Sequence, residues 1–419
     1  MVLRIRPPRA AAALTLALAA LCPSAHALDC GANTGKPATG TPLPIGSIVG
    51  KTGPDDFSIA GTAAAAYFQC VNDNGGIHGR PVQYIVMDDQ WNPKIAASAA
   101  TQLLDQRQVV AMVGSSSFVE CQANVQRYAD AGIVVIGGAG VERTCFHSSS
   151  YAPLNTGPRI SATIAGQFAA GLGPTRRMAC IIPDIPGLRD WACSGVQDWG
   201  RKQGIEVEVV TVKLGGFSAR EVLEKTVSRK PDVIVMNLDK AHLLPMMAAA
   251  QAMDLGRSIR FASSAPAYNM DVARALGPYW KDAFHANLEF RPLDHDGPDM
   301  RNWTQVLDRY APKTIARNAF SQSGYLAARL ATEAMLKLPP DQLDRANINA
   351  AFRRVDKFES DMLCRPYYIG KGKRHNASYS GPMARFNGQD WTMAGAGCVD
   401  AADPELADIL AEERRAKRR

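Results

Sequence analysis

The stretch that decides the fold begins Asn74-Gly75-Gly76-Ile77-His78-Gly79-Arg80-Pro81 and continues through the apolar run Val82 to Met87, Asp88-Asp89, Pro93 and an Ala-rich segment. It ends in Val109-Val110-Ala111-Met112-Val113-Gly114-Ser115-Ser116-Ser117. The glycines stop a preceding helix, and the apolar run makes a strand that closes on two carboxylates. The Ala-rich segment is a second helix, and the last strand opens into a hydroxyl-rich turn. That order is a βαβ unit, whose polar loops at strand C-terminal ends are where α/β proteins hold ligands.

Outward from this unit the alternation recurs. Apolar runs at Ile45–Val49, Val82–Met87, Val109–Val113 and Ile133–Ile136 are separated by helix-length segments, the pattern of a parallel, doubly wound α/β sheet. Asn155-Thr156-Gly157-Pro158 breaks the pattern beside an apolar segment and marks a crossing into a second lobe. Strands then repeat at Met178–Ile182, Val207–Val212, Val233–Met236 and Ile259–Ala262. A chain of 419 residues, 46% of them hydrophobic, is long enough for two cores. The reading is two doubly wound parallel-sheet lobes joined by a three-strand hinge. Residues 44–157 and 287–363 form the first lobe, and 158–286 and 364–400 the second. Crossings are expected near Asn155–Arg159, Ala286–Arg291 and Leu363–Pro366. Residues 28–43, rich in Gly, Pro and Thr, read as a surface extension.

The first 27 residues have their own logic. Arg4, Arg6 and Arg9 precede the apolar run Ala10 to Leu21, and Ala25-His26-Ala27 supplies a small-x-small cleavage pattern, so 1–27 reads as a secretory signal peptide. No later segment reaches 18 consecutive apolar residues, and the mature chain is expected to be soluble in the periplasm. The formal charge of +7 loses three positives with the leader. Arg414, Arg415, Lys417, Arg418 and Arg419 concentrate five more in the segment 401–419. Basicity is thus a property of the tail, which reads as a solvated end rather than a nucleic-acid or lipid surface. The sequon Asn376-Ala377-Ser378 reads as an ordinary loop. Eight of the nine cysteines lie beyond the leader, an even count that suggests disulfides in an exported protein. Spacing pairs Cys121 with Cys145, Cys180 with Cys193 and Cys364 with Cys398, leaving Cys30 for Cys70. No Cys-x-x-Cys pair is present to suggest a zinc or redox site.

With these residues in view, the chain resembles the solute-binding proteins of branched-chain amino-acid type ABC importers. The resemblance rests on Gly75-Gly76-Ile77-x-Gly79-Arg80-x-Val82, Asp88-Asp89, Pro93 and Val109-x-x-x-Val113-Gly114, and it spans roughly 44–400. It implies a type I periplasmic binding protein fold and a monomer that captures a small molecule by closure of two lobes. It also implies delivery to ABC permease subunits in the inner membrane, with no cofactor. Where the family has Gly-Tyr-Asp, this chain has Gly324-Tyr325-Leu326, which removes a helix cap expected there.

Candidate ligand residues follow from the strand ends. Ser115, Ser116 and Ser117 stand before a helix, where hydroxyls and unpaired N–H groups can hold an anion or merely cap the helix; the resemblance favours the first. Gly138, Ala139, Gly140 and Val141 follow a strand and allow a ligand close to the backbone. In relatives that bind α-amino acids a Thr stands near Val141, and a Glu that pairs with the ligand ammonium stands near Ala265. Their absence here points to an organic acid rather than an α-amino acid. Asp184, Asp239 and Tyr268 are cleft candidates from the second lobe that could equally be surface residues. Phe57 and Phe118 are apolar walls or simply core. An enzyme is disfavoured: Gly138-x-Gly140 lacks the third glycine of a dinucleotide fingerprint, no Gly-x-Ser-x-Gly elbow occurs, and the histidines do not cluster. A sensor that passes its ligand to a signalling receptor is the alternative within the same fold.

Overall fold

The computed structural model describes residues 28–185, 187–369 and 378–416; the signal-peptide reading and Asn376-Ala377 of the sequon lie outside them. Two sheets form the framework. The first takes β1 (Leu43–Val49), β2 (Val82–Asp88), β3 (Ala111–Val113), β4 (Val135–Gly137) and β5 (Tyr151–Pro153) in the order β2-β1-β3-β4-β5, all parallel. The second contains β6 (Arg177–Pro183), β7 (Glu206–Val212), β8 (Val233–Met236), β9 (Arg260–Ser263), β10 (Phe284–Asn287), β11 (Ser380–Phe386) and β12 (Trp391–Asp400). Their order is β12-β11-β10-β9-β8-β6-β7. Here β6 to β10 are parallel, while β10–β11 and β11–β12 are antiparallel.

Local chemistry explains the opening unit. In the Ile59–Asp73 helix the buried residues Ala63, Ala64, Tyr67, Phe68 and Val71 recur at helical spacing and face the first lobe's core. The helix stops because Gly75 and Gly76 take φ of 103° and 62°, and the Gly76 N–H bonds back to the Val71 carbonyl. A side chain at Gly76 would meet the Arg80 carbonyl oxygen at 2.3 Å, so the motif needs glycine for space as well as for angle. The Asp88 carboxylate accepts from the N–H groups of Lys51, Thr52 and Gln90, pinning the turn after β1.

The Ala319–Leu336 helix packs on Ile59–Asp73, and with the Pro298–Tyr310 helix it returns the chain to the first lobe. It is capped by Asn318 and Ser321 in a reciprocal box, so Leu326 lies in the helix interior and is fully buried. Tyr367 and Ile369 are buried in the first lobe's core, so that lobe runs several residues past the expected boundary at 363. Disulfides join Cys30–Cys70, Cys121–Cys145, Cys180–Cys193 and Cys364–Cys398.

The segment after Asp400 departs from the expectation of a solvated end. A turn at Pro404–Leu406 and a helix at Ala407–Ala416 lie against the second lobe, with Leu406 and Ile409 buried and the Tyr379 hydroxyl donating to Glu413. Leu406, Ile409 and Leu410 carry the apolar spacing of a docked helix, which the run of charges around them obscured. No helix among the described residues is long and apolar enough to cross a membrane.

Candidate ligand site

The C-terminal ends of the parallel strands of both sheets meet across a cavity of about 490 Å³, measured out to its mouth. The first lobe contributes an apolar wall of Phe57, Phe118, Val141 and Phe320. Phe57 sets its ring edge-on to Phe118 at 4.4 Å and packs on Phe320 at 5.0 Å, while Trp91 stacks behind Phe118 at 4.0 Å. The second lobe contributes Leu188, Leu238, Asn237, Asp239 and Ser264, and the crossings supply Asn155 and Glu289. A wider space of about 1110 Å³ shares Phe57, Pro266 and Phe320 with this cavity. It opens past Lys51 and Asp55 of one lobe and Lys240 and Asp271 of the other. Burial raises the Asp55 pKa, with Asp239 of the opposite lobe adding to the rise and Lys240 opposing it, so the lobes feel each other across the gap.

The serine turn divides into three roles. The Ser115 hydroxyl accepts from the Ile48 N–H at 3.1 Å and donates to Glu120, making it structural. The Ser117 hydroxyl donates to Asp89 and accepts from the Val119 and Glu120 N–H groups, the helix-capping alternative. Ser116 bridges β1 and the post-β4 loop through Val49 and Ala139, and its buried hydroxyl has no hydrogen-bond partner. The same is true of Ser264 on the other lobe, which lines the cavity.

Of the remaining candidates, Gly138, Ala139 and Gly140 are buried and do not line the cavity, and the Gly140 N–H donates to Asn155 Oδ1 at 2.8 Å. A side chain at Gly140 would strike Cys145, Pro153 and Phe146. Asp184 is not brought to the cavity; it pairs with Arg189 at the half-exposed edge of the second lobe. Tyr268 is core, its hydroxyl accepting from the Leu293 N–H at 3.2 Å. Ala265 is flanked by two lining residues, Ser264 and Pro266, but does not line the cavity itself; its N–H donates to Ser161. Asp239 lines the cavity as the cap of the Lys240–Ala252 helix and holds His242 Nδ1 at 2.7 Å, which raises the imidazole pKa.

Glu289 is a buried acid at the cavity that stands apart from the position near Ala265, where a Glu was expected to be missing. It lines the cavity while its Oε1 accepts from the Thr156 hydroxyl at 2.8 Å, the Gly157 N–H at 2.9 Å and Asn155 Nδ2 at 3.4 Å. Burial raises its pKa against those hydrogen bonds. The signal was available: Glu289 is the acid inside the strand-like run Ala283–Phe290, whose other polar residues are His285 and Asn287. Asn155 stood within a quoted motif and Asn237 lies two residues before the candidate Asp239, whereas nothing in the sequence singled out Phe320. Glu142 lies beside Cys121 and Cys145, but both sulfurs are spent in their disulfide.

Two α/β lobes, three crossings and an interlobe cavity define a hinged ligand-binding protein. Residues 42–396 match the family model described as periplasmic binding protein, and the chain belongs to that family, the leucine/isoleucine/valine-binding-protein-like substrate-binding components of ABC transporters. Solved structures agree in fold. A branched-chain amino acid ABC transporter protein from Thermus thermophilus with bound valine is 15% identical, covers 87% of this chain and 98% of its own, and has a TM-score of 0.75. A fatty acid ABC transporter substrate-binding protein from Thermomonospora curvata is 17% identical over 88% and 95%, with a TM-score of 0.75. A solute-binding protein from R. palustris in complex with 4-hydroxybenzoate is 16% identical over 88% and 100%, with a TM-score of 0.74. No curated protein matches the chain. The family and these neighbours are binding proteins, not enzymes.

Proposed function

We propose that this protein captures a small carboxylic acid in the periplasm, closing its lobes around an apolar body, and hands it to an ABC permease in the inner membrane. The carrying observation is Ser264, a buried hydroxyl without a partner that lines the aromatic-walled cavity; Ser116 of the other lobe is equally unpartnered but does not line it. A buried hydroxyl without a partner is costly, and a ligand oxygen bonded to Ser264 while the ligand body packs on the first lobe's aromatic wall would satisfy it and favour the closed state. Export follows from the leader Met1–Ala27. The ligands named for the structural neighbours, valine, fatty acid and 4-hydroxybenzoate, share a carboxylate on an apolar body.

A second reading, an α-amino acid, is favoured by one observation. Glu289 is a buried carboxyl whose hydrogen bonds all come from neutral donors, and a ligand ammonium would supply the missing positive charge. Calorimetric titration with benzoate, 4-hydroxybenzoate, hexanoate, valine and leucine separates the two. The organic-acid reading expects binding without an amine, weakened about tenfold or more by Ser264→Ala. Binding confined to valine and leucine and abolished by Glu289→Gln would replace it with the second.

A further inference from the structure

The segment that follows β12 reaches both lobes. Its hold on the second lobe is buried: Asp403 grips Arg159 with both oxygens, at 2.6 Å to Nε and 2.8 Å to NH2, and neither side chain is more than 2% exposed. Arg159 is fixed in turn by the Trp191 carbonyl at 3.0 Å and Asp198 at 2.9 Å. The Ala402 N–H donates to Gln167 and the Ala401 N–H to the Tyr379 carbonyl, so the segment stays seated on the lobe it leaves.

Two residues on, Glu405 turns toward the other lobe. Its carboxylate meets His147 Nε2 at 3.0 Å and Arg143 NH2 at 3.4 Å, both on the β4–β5 connection of the first lobe. It also accepts from Trp191 Nε1 of the second lobe at 3.0 Å. Phe146 packs on Trp191 at 5.4 Å in the same place, so an aromatic contact between the lobes lies beside the ionic one. Burial would raise the Glu405 pKa, but the hydrogen bonds from His147 and Trp191 and the charge of Arg159 bring it down to about 2.

We propose that Asp403–Glu405 is a strap between the lobes, with Glu405 positioning the first lobe through His147 and Arg143 so that the ligand-free protein is biased toward closure. The inference rests on capture by closure and adds to it a second determinant outside the cavity. Anchored at Asp403, the strap stays on the second lobe when the lobes part, whereas the bonds to His147 and Arg143 must break.

The test uses the full mature chain without ligand, measured by small-angle scattering. Arg143→Ala/His147→Ala removes the first-lobe end of the strap, at one exposed and one partly buried position, leaving Asp403 and Arg159 in place. The expected result is a larger radius of gyration, corresponding to a roughly fivefold or greater rise in the open-to-closed ratio, and Glu405→Gln should move it the same way. A purely structural role would lower the unfolding midpoint and leave the scattering of the folded protein unchanged, and that outcome overturns the proposal. Failure of the closure reading shows separately: the wild-type radius would then not shrink with any member of the carboxylate panel that binds.

Discussion

At the scale of single residues, two adjacent serines make opposite predictions. Ser115→Ala breaks bonds to Ile48 and Glu120 in a buried network and is expected to cost about 1–3 kcal/mol of stability, read from urea unfolding. Ser116→Ala removes a hydroxyl that bonds nothing in the protein, so its stability should change little. Beneath the turn, Glu120 is fully buried among Ser115, Tyr128 and Tyr151, and burial pushes its carboxyl up to about 8 despite their hydrogen bonds. A raised acid favours folding below its unfolded value of about 4.3 and loses that contribution as pH climbs through the folded value. The midpoint of unfolding should therefore fall between pH 5 and pH 8.5, and Glu120→Gln should flatten that part of the profile. The residue scale is also where sequence reading stopped short. Ser115 to Ser117 could be placed at a strand end, but which hydroxyl is spent on the fold depends on partners as distant in the chain as Ile48 and Asp89.

Elements were more legible, because hydrophobic period and glycine placement are local. The Gly75-Gly76 stop and the strand closing on Asp88 stand where the chain's own chemistry puts them, and a helix opens at Gly157-Pro158. The antiparallel pair β11–β12 was not read as strands, and the docked terminal helix was hidden by its charges. Gly324 illustrates a motif whose reason is visible only in packing. A Cβ there would lie 2.0 Å from the Ala60 carbonyl oxygen, so the Ile59–Asp73 and Ala319–Leu336 helices can touch only at glycine. Gly324→Ala is expected to cost about 1–3 kcal/mol or more, and to weaken ligand binding because the displaced helix carries Phe320. Urea unfolding and titration of the same variant check both.

The whole molecule is two sheets whose strand ends face one cavity, tied at the crossings by Glu289, which bonds Asn155, Thr156 and Gly157 from the opposite crossing. A ligand bound only by the folded, closed form must raise the melting temperature, by the equivalent of about 2.7 kcal/mol at a hundred times its dissociation constant. A panel member that binds by calorimetry without raising it would be binding elsewhere. The arrangement of the chain ends has a practical consequence. Cys30–Cys70 fastens the beginning of the described chain to the first lobe, whereas the Ala407–Ala416 helix rides on the second. A donor dye at Leu28 and an acceptor at Arg415 would thus sit on different moving bodies, making the protein an optical reporter of its own cargo with no label near the cavity.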